Sequence, residues 1–92
     1  MCKHTVLELS VNNHPGVMSH ICGLFARRAY NVEGIACMPI NGGGKSRIWL
    51  LVDADERLDQ MIKQVDKLHD VLGVDRHDGG HEVFEKMTEF VS

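Results

Sequence analysis

Cysteine is scarce in this chain of 92 residues: Cys2, Cys22 and Cys37 are odd in number, widely spaced and form no C-x-x-C. That argues against a disulfide framework. Aromatic residues are only 5% of the chain, with a single Trp. An RNA-recognition module stacks bases on strand aromatics, and Trp49 would be the only strand aromatic available. Positive charge is not in excess either. The formal net charge is −3, whereas a general nucleic-acid binder needs a basic face. No uncharged apolar run approaches the roughly 20 residues that cross a bilayer. Met1-Cys2-Lys3-His4 lacks the apolar segment of a signal peptide, so the expected location is cytoplasmic. Internal repeats, low-complexity tracts and an interdomain linker are absent as well. No nucleophile–base pair stands out, which disfavours an enzyme.

What remains is a small domain with 43% apolar residues. A chain of this length buries only roughly 60–65% of its unfolded surface, so its core is thin and oligomerisation would support it. Thr5 to Val11 alternates, with Leu7, Leu9 and Val11 on one face and Val6, Glu8 and Ser10 on the other, as in a half-buried strand. Asn12 to Gly16 reads as a turn, with Pro15 near the first helical position. Val17, Ile21, Leu24 and Phe25 then fall at helical spacing. Gly23 costs about 1 kcal/mol there relative to Ala, which a close contact with another element would explain. Val32 to Ile40 and Ser46 to Val52 are two strands joined through Asn41-Gly42-Gly43-Gly44-Lys45 as a hairpin. On the second of them Ile48, Leu50 and Val52 share one face. Asp53 or Asp55 caps the next helix, whose stripe is Leu58, Met61, Ile62, Val65 and Leu68. Val71 to Arg76 is a fourth strand. After the break at Asp78-Gly79-Gly80, Glu82 to Val91 fits a docked helix, with an edge strand at Thr88 to Val91 as the alternative. The order β-α-β-β-α-β plus a tail predicts an α+β, ferredoxin-like antiparallel sheet with two helices on one face. The domain is expected over residues 1–78, with a tail over 79–92 packing on the domain or on a partner.

The most informative stretch runs from Asn13 to Ile35. A strand ends in a turn, the helix is entered through Pro-Gly, and the helix leads into an apolar strand. Helix N-termini present unpaired N–H groups, which form a small anion site suited to a carboxylate. Asn13, His14, Gly16, Val17 and Met18 make up this cradle. Val17 and Met18 act through their N–H groups, and Gly16 leaves room for backbone approach. The pattern favours a sensor of a small acid, although a purely structural turn has the same composition.

The run N-H-P-G-V followed by G-L-F-A-R-R-A-Y-N-V-E-G-I closely resembles the small regulatory subunit of acetohydroxyacid synthase (acetolactate synthase). R-I-W-L-L-V and Q-V-D-K-L-H-D-V-L-G-V extend the match over about Val6 to Arg76. The resemblance implies an ACT domain in its short, single-domain form. It implies a homodimer whose strands join side by side, with a feedback amino acid, usually valine, at the interface. It also implies a partner, the large catalytic subunit, which holds thiamine diphosphate, Mg and FAD; none of these is expected in this chain. Asn31 matches a family position near the effector, where its amide can serve both ends of an amino acid. A left-handed helix C-cap is the competing role. Ile35 and Cys37 could line an apolar pocket for an isopropyl group, or simply pack in the core.

Other motifs carry less. His77 and His81 lie four apart, but the glycines between them oppose helical presentation, and no metal site is expected. Gly44-Lys45-Ser46 lacks the first glycine and the following helix of a phosphate-binding loop. Cys22 reads as a small buried hydrophobe. Arg47 and Trp49 suit either an exposed face or a docking surface. Arg27, Arg28 and Tyr30 suit a solvated helix end or a contact surface. A small phosphatase on the same scaffold would need an Arg in the Asn12–Gly16 turn, and there is none. The nearest rival is an ACT-domain sensor serving a different enzyme.

Overall fold

Alternation along the first strand sorts its side chains onto two faces, and both are covered. In the computed structural model, which describes residues 4–40, 42–78 and 81–91, strand β1 (His4–Asn12) runs through the middle of the sheet. The reading of the amino terminus, Asn41 in the glycine turn and the Gly79-Gly80 break lie outside the described residues. Thr5, Leu7, Leu9 and Val11 are at most 1% exposed on one face. Strand β3 (Lys45–Asp53) pairs antiparallel with β1 along its whole length, setting Leu7 opposite Leu50 and Leu9 opposite Ile48. Strand β2 (Val32–Ile40) flanks β3, and β4 (Val71–Asp78) flanks β1, both antiparallel. The order β2-β3-β1-β4 leaves β2 and β4 as edges. This is the split-βαβ arrangement expected from the element order.

Helix α1 (Val17–Arg27) buries Val17, Ile21, Leu24 and Phe25, a 3–4 spacing that keeps one stripe on the sheet. Helix α2 (Leu58–Asp66) does the same with Leu58, Met61 and Val65. Its entry is held by Asp55, whose carboxylate accepts the Arg57 N–H at 2.8 Å. The expectation for Gly23 is not met: an added Cβ would meet only the Arg27 guanidinium, at 3.4 Å, and no other element.

Two local features differ from the sequence reading. Tyr30 is buried rather than solvated. After α1, the Ala29 N–H donates to the Ala26 carbonyl and the Tyr30 N–H to the Phe25 carbonyl, with Ala29 left-handed at φ 51°. This is a Schellman turn, and it folds Tyr30 back onto Phe25, with ring centroids 5.8 Å apart. The Tyr30 hydroxyl donates to the Asp53 carbonyl, and the Arg57 guanidinium covers the ring at 4.8 Å. Burial first, and then the nearby Asp55 carboxylate, pushes the Tyr30 phenol up.

The second difference concerns the sheet face away from α1 and α2, because the tail is the docked helix expected from the sequence. Glu82–Val91 is a helix, α3, and lies over the face opposite α1 and α2. Phe84 rests on Gly34, so close that a Cβ there would sit 2.9 Å from the ring. Val6, opposite Leu51 on that face, is fully buried. Trp49 is half-buried beside His81, with ring centroids 6.3 Å apart, and Arg47 pairs with Glu8 at 3.2 Å. The face predicted to be exposed or docking is therefore partly capped by the chain itself.

Candidate functional site

The turn between β1 and α1 has few internal hydrogen bonds. The His14 N–H donates to the Asn12 carbonyl at 2.9 Å, and the Val17 N–H to the His14 carbonyl at 3.3 Å. Gly16 caps the helix at φ 88°, with no side-chain capping bond. The Met18 and Ser19 N–H groups find no backbone acceptor among the described residues, whereas the His20 N–H already reaches the Gly16 carbonyl. Among the described residues the free backbone donors at this helix end are thus Gly16, Met18 and Ser19. Val17, expected to donate, uses its N–H within the turn.

Gly16 leaves the space beside this turn open. A Cβ there would meet no protein atom within 4 Å, and its positive φ independently favours glycine. Asn13 is tied to the hairpin turn, its Nδ2 donating to the Gly43 carbonyl at 3.0 Å and its own N–H to the Gly44 carbonyl at 3.2 Å. Its Oδ1 is left to accept. His14 leans toward the α2–β4 turn, with Nδ1 2.9 Å from Asp70 Oδ1.

A shallow cavity of about 110 Å³ opens beside this turn. It brings together six of the eight residues singled out from the sequence: Asn13, His14, Gly16, Val17, Met18 and Cys37. Asn31 and Ile35 lie outside it. Asn31 is exposed, and its amide donates to Glu33 Oε1 at 2.6 Å. The left-handed C-cap position is Ala29, not Asn31. Ile35, 39% exposed, shares the core face of β2 with Cys37, since the two stand opposite Leu50 and Ile48. Sequence reasoning missed Val11, Asn12, Ser46 and Ile48, which complete the wall. No local signal marks them; the β1–β3 register alone sets Ser46 opposite Val11.

A second cluster forms on the opposite face. Glu8 Oε1 lies 2.9 Å from His77 Nε2 and 3.7 Å from His81 Nε2, and the two imidazole rings are 4.8 Å apart. The two histidines meet through the end of β4 and the start of α3, a route that spacing along one helix does not anticipate. The three groups are close enough to surround a cation. However, His81 Nδ1 accepts the Val83 N–H at 3.1 Å, which puts the imidazole proton on Nε2, facing Glu8. The cluster therefore holds the N-terminus of α3 near the sheet through the Val83–His81 hydrogen bond, the His77–Glu8 hydrogen bond and the contact of the two imidazoles.

The architecture and the open turn fit the ACT domain, the class that a family match also assigns. One solved structure with that fold is the ACT domain from GTP pyrophosphokinase of Chlorobium tepidum, at a TM-score of 0.68 and 15% identity over 83% of this chain and 99% of that one. Residues 7–73 match the model of the AHAS small subunit-like ACT domain, and the chain belongs to that family. It is 59% identical to the acetolactate synthase isozyme 1 small subunit of Escherichia coli strain K12, over 95% of this chain and 91% of the relative. The solved acetolactate synthase small subunit from Thermotoga maritima superposes at a TM-score of 0.71 with 34% identity, over 79% of this chain and 46% of that longer one. Among the described residues no helix is long and apolar enough to cross a membrane.

Proposed function

We propose that this chain is the regulatory small subunit of an acetohydroxyacid synthase, binding a branched-chain amino acid, valine first, and transmitting feedback to a separate catalytic subunit in the cytoplasm. The observation that carries the effector reading is the pairing of two unused N–H donors, Gly16 and Met18, with a small, mostly apolar cavity that both residues line. Charge-assisted hydrogen bonds contribute about 1.5–3 kcal/mol each, and an exposed helix dipole only about 0.3–1 kcal/mol. Two such bonds to a carboxylate supply most of the binding. The Asn13 Oδ1 can accept from the ammonium group, and Cys37, Val11 and Ile48 offer apolar wall to the side chain.

The cavity is below the roughly 300–1,000 Å³ typical of small-molecule sites, so a second wall is needed. A homodimer supplies it. Strand β2 is the edge suited to pairing: its only charged side chain is Glu33, and Ile35 and Met38 stand 39% and 60% exposed. The other edge, β4, carries Asp75, Arg76 and Asp78, which oppose strand addition. Two β2 edges joined side by side give one long sheet and bring Ile35 and Asn31 toward the shared effector. In this reading catalysis, with thiamine diphosphate, Mg and FAD, belongs to the large subunit.

The test is reconstitution. The chain is mixed with the acetohydroxyacid synthase catalytic subunit of the same cell, and acetolactate formation is followed with and without valine. The expected result is activation by the chain and inhibition by valine. If the chain leaves that subunit's rate unchanged and co-purifies instead with another enzyme, it is a sensor for that enzyme.

A further inference from the structure

A larger cavity, about 340 Å³, opens between α1 and the turn joining α2 to β4. Val17, Ile21, Leu68 and Val71 give it an apolar floor. Val17, His20 and Ile21 fall at i, i+3 and i+4, so one face of α1 forms a whole wall. Lys67, His20 and His69 stand around the rim, and none of them makes an ion pair or side-chain hydrogen bond among the described residues. The one carboxylate of the lining, Asp70, already faces His14 at 2.9 Å. The volume lies inside the roughly 300–1,000 Å³ of small-molecule sites, and every wall comes from one chain.

We propose that this cavity binds a small aliphatic monocarboxylate, with its hydrocarbon on the apolar floor and its carboxylate on Lys67, assisted by His20 and His69. The site is separate from the effector cradle but mechanically joined to it. Val17 borders both cavities. The His14–Asp70 pair and the Asn12 N–H to Asp70 carbonyl bond, 2.8 Å, tie the α2–β4 turn to the cradle turn.

The probe is 3-methylbutanoate, which lacks the ammonium group that Asn13 would hold. It is titrated into the full chain labelled at its methyl groups and followed by NMR. Shifts at Ile21, Leu68 and Val71 report this cavity; shifts at Val11 and Ile48 report the smaller one. The expected result is saturable movement of the first set, weakened about tenfold or more by Lys67→Glu and retained by Lys67→Arg. Lys67 is exposed, so both variants should keep the wild-type melting temperature. Movement confined to Val11 and Ile48, no movement up to about 20 mM, or indifference to Lys67→Glu would overturn the proposal. Loss of valine binding at the cradle with these shifts intact would count against the effector reading alone.

Discussion

At the scale of single residues, two backbone positions do unusual work. Gly16 sits at φ 88° in open space, so a substitution there tests charge and conformation separately. Asn and Asp tolerate the left-handed region about equally and differ in charge. Gly16→Asn should therefore keep valine affinity within a few-fold of the wild type. Gly16→Asp, placing a fixed carboxylate at the cradle, should lower it about a hundredfold, the equivalent of losing two charge-assisted bonds. Titration calorimetry on both variants checks this, and equal losses would mean that the turn's shape, not an anion site, matters. Ala29 is the other position, a non-glycine residue at φ 51° in a Schellman turn. Relief of the left-handed penalty, about 1–2 kcal/mol, exceeds the added chain entropy of glycine. Ala29→Gly should raise stability by about 0.5–1 kcal/mol in urea unfolding, with the Tyr30–Phe25 contact unchanged.

Among the elements, α3 is the one whose position is decided by few contacts. None of its residues is buried, and it is held by Phe84 on Gly34 and by the Glu8–His77–His81 cluster. His81 Nδ1 accepts the Val83 N–H while Nε2 faces Glu8 at 3.7 Å, so one imidazole lies against the helix end and the sheet together. Gly34→Ala forces the Phe84 ring to shift, an overpacking worth about 1–3 kcal/mol. The expected outcome is a looser α3, seen as a red shift of Trp49 emission and faster proteolysis near His81, with the helix-side core unaltered. Unchanged emission would place α3 elsewhere in solution. The apolar groups Phe90 and Val91, 89% and 86% exposed, end this same helix.

For the whole molecule, the decisive question is whether the β2 edge is free. The proposed β2 interface would answer a thin core, an apolar edge strand and a small, open cavity together. Sedimentation at micromolar concentration should give twice the chain mass. Ile35→Asp puts a charge on that edge at a position 39% exposed, which the monomer tolerates. It should shift the mass to that of one chain, preserve the far-ultraviolet dichroism and abolish valine binding. A dimer persisting in Ile35→Asp would move the interface away from β2.

The sequence by itself determined the element order, and with it the fold. Alternation in β1 and β3 and the 3–4 stripes in α1 and α2 are local periodicities that assign each side chain a face, and those faces are the ones observed. The Asn13 to Met18 part of the candidate site was legible for the same reason, because its residues are contiguous. Tertiary structure decided what each face meets. Only the strand register sets Ser46 opposite Val11 to close the small cavity. Only the Schellman turn buries Tyr30. Only the return of α3 across the sheet brings His81 to Glu8, and only the approach of the α2–β4 turn to α1 forms the larger cavity. These are contacts between residues far apart in the chain, and spacing carries information only within an element.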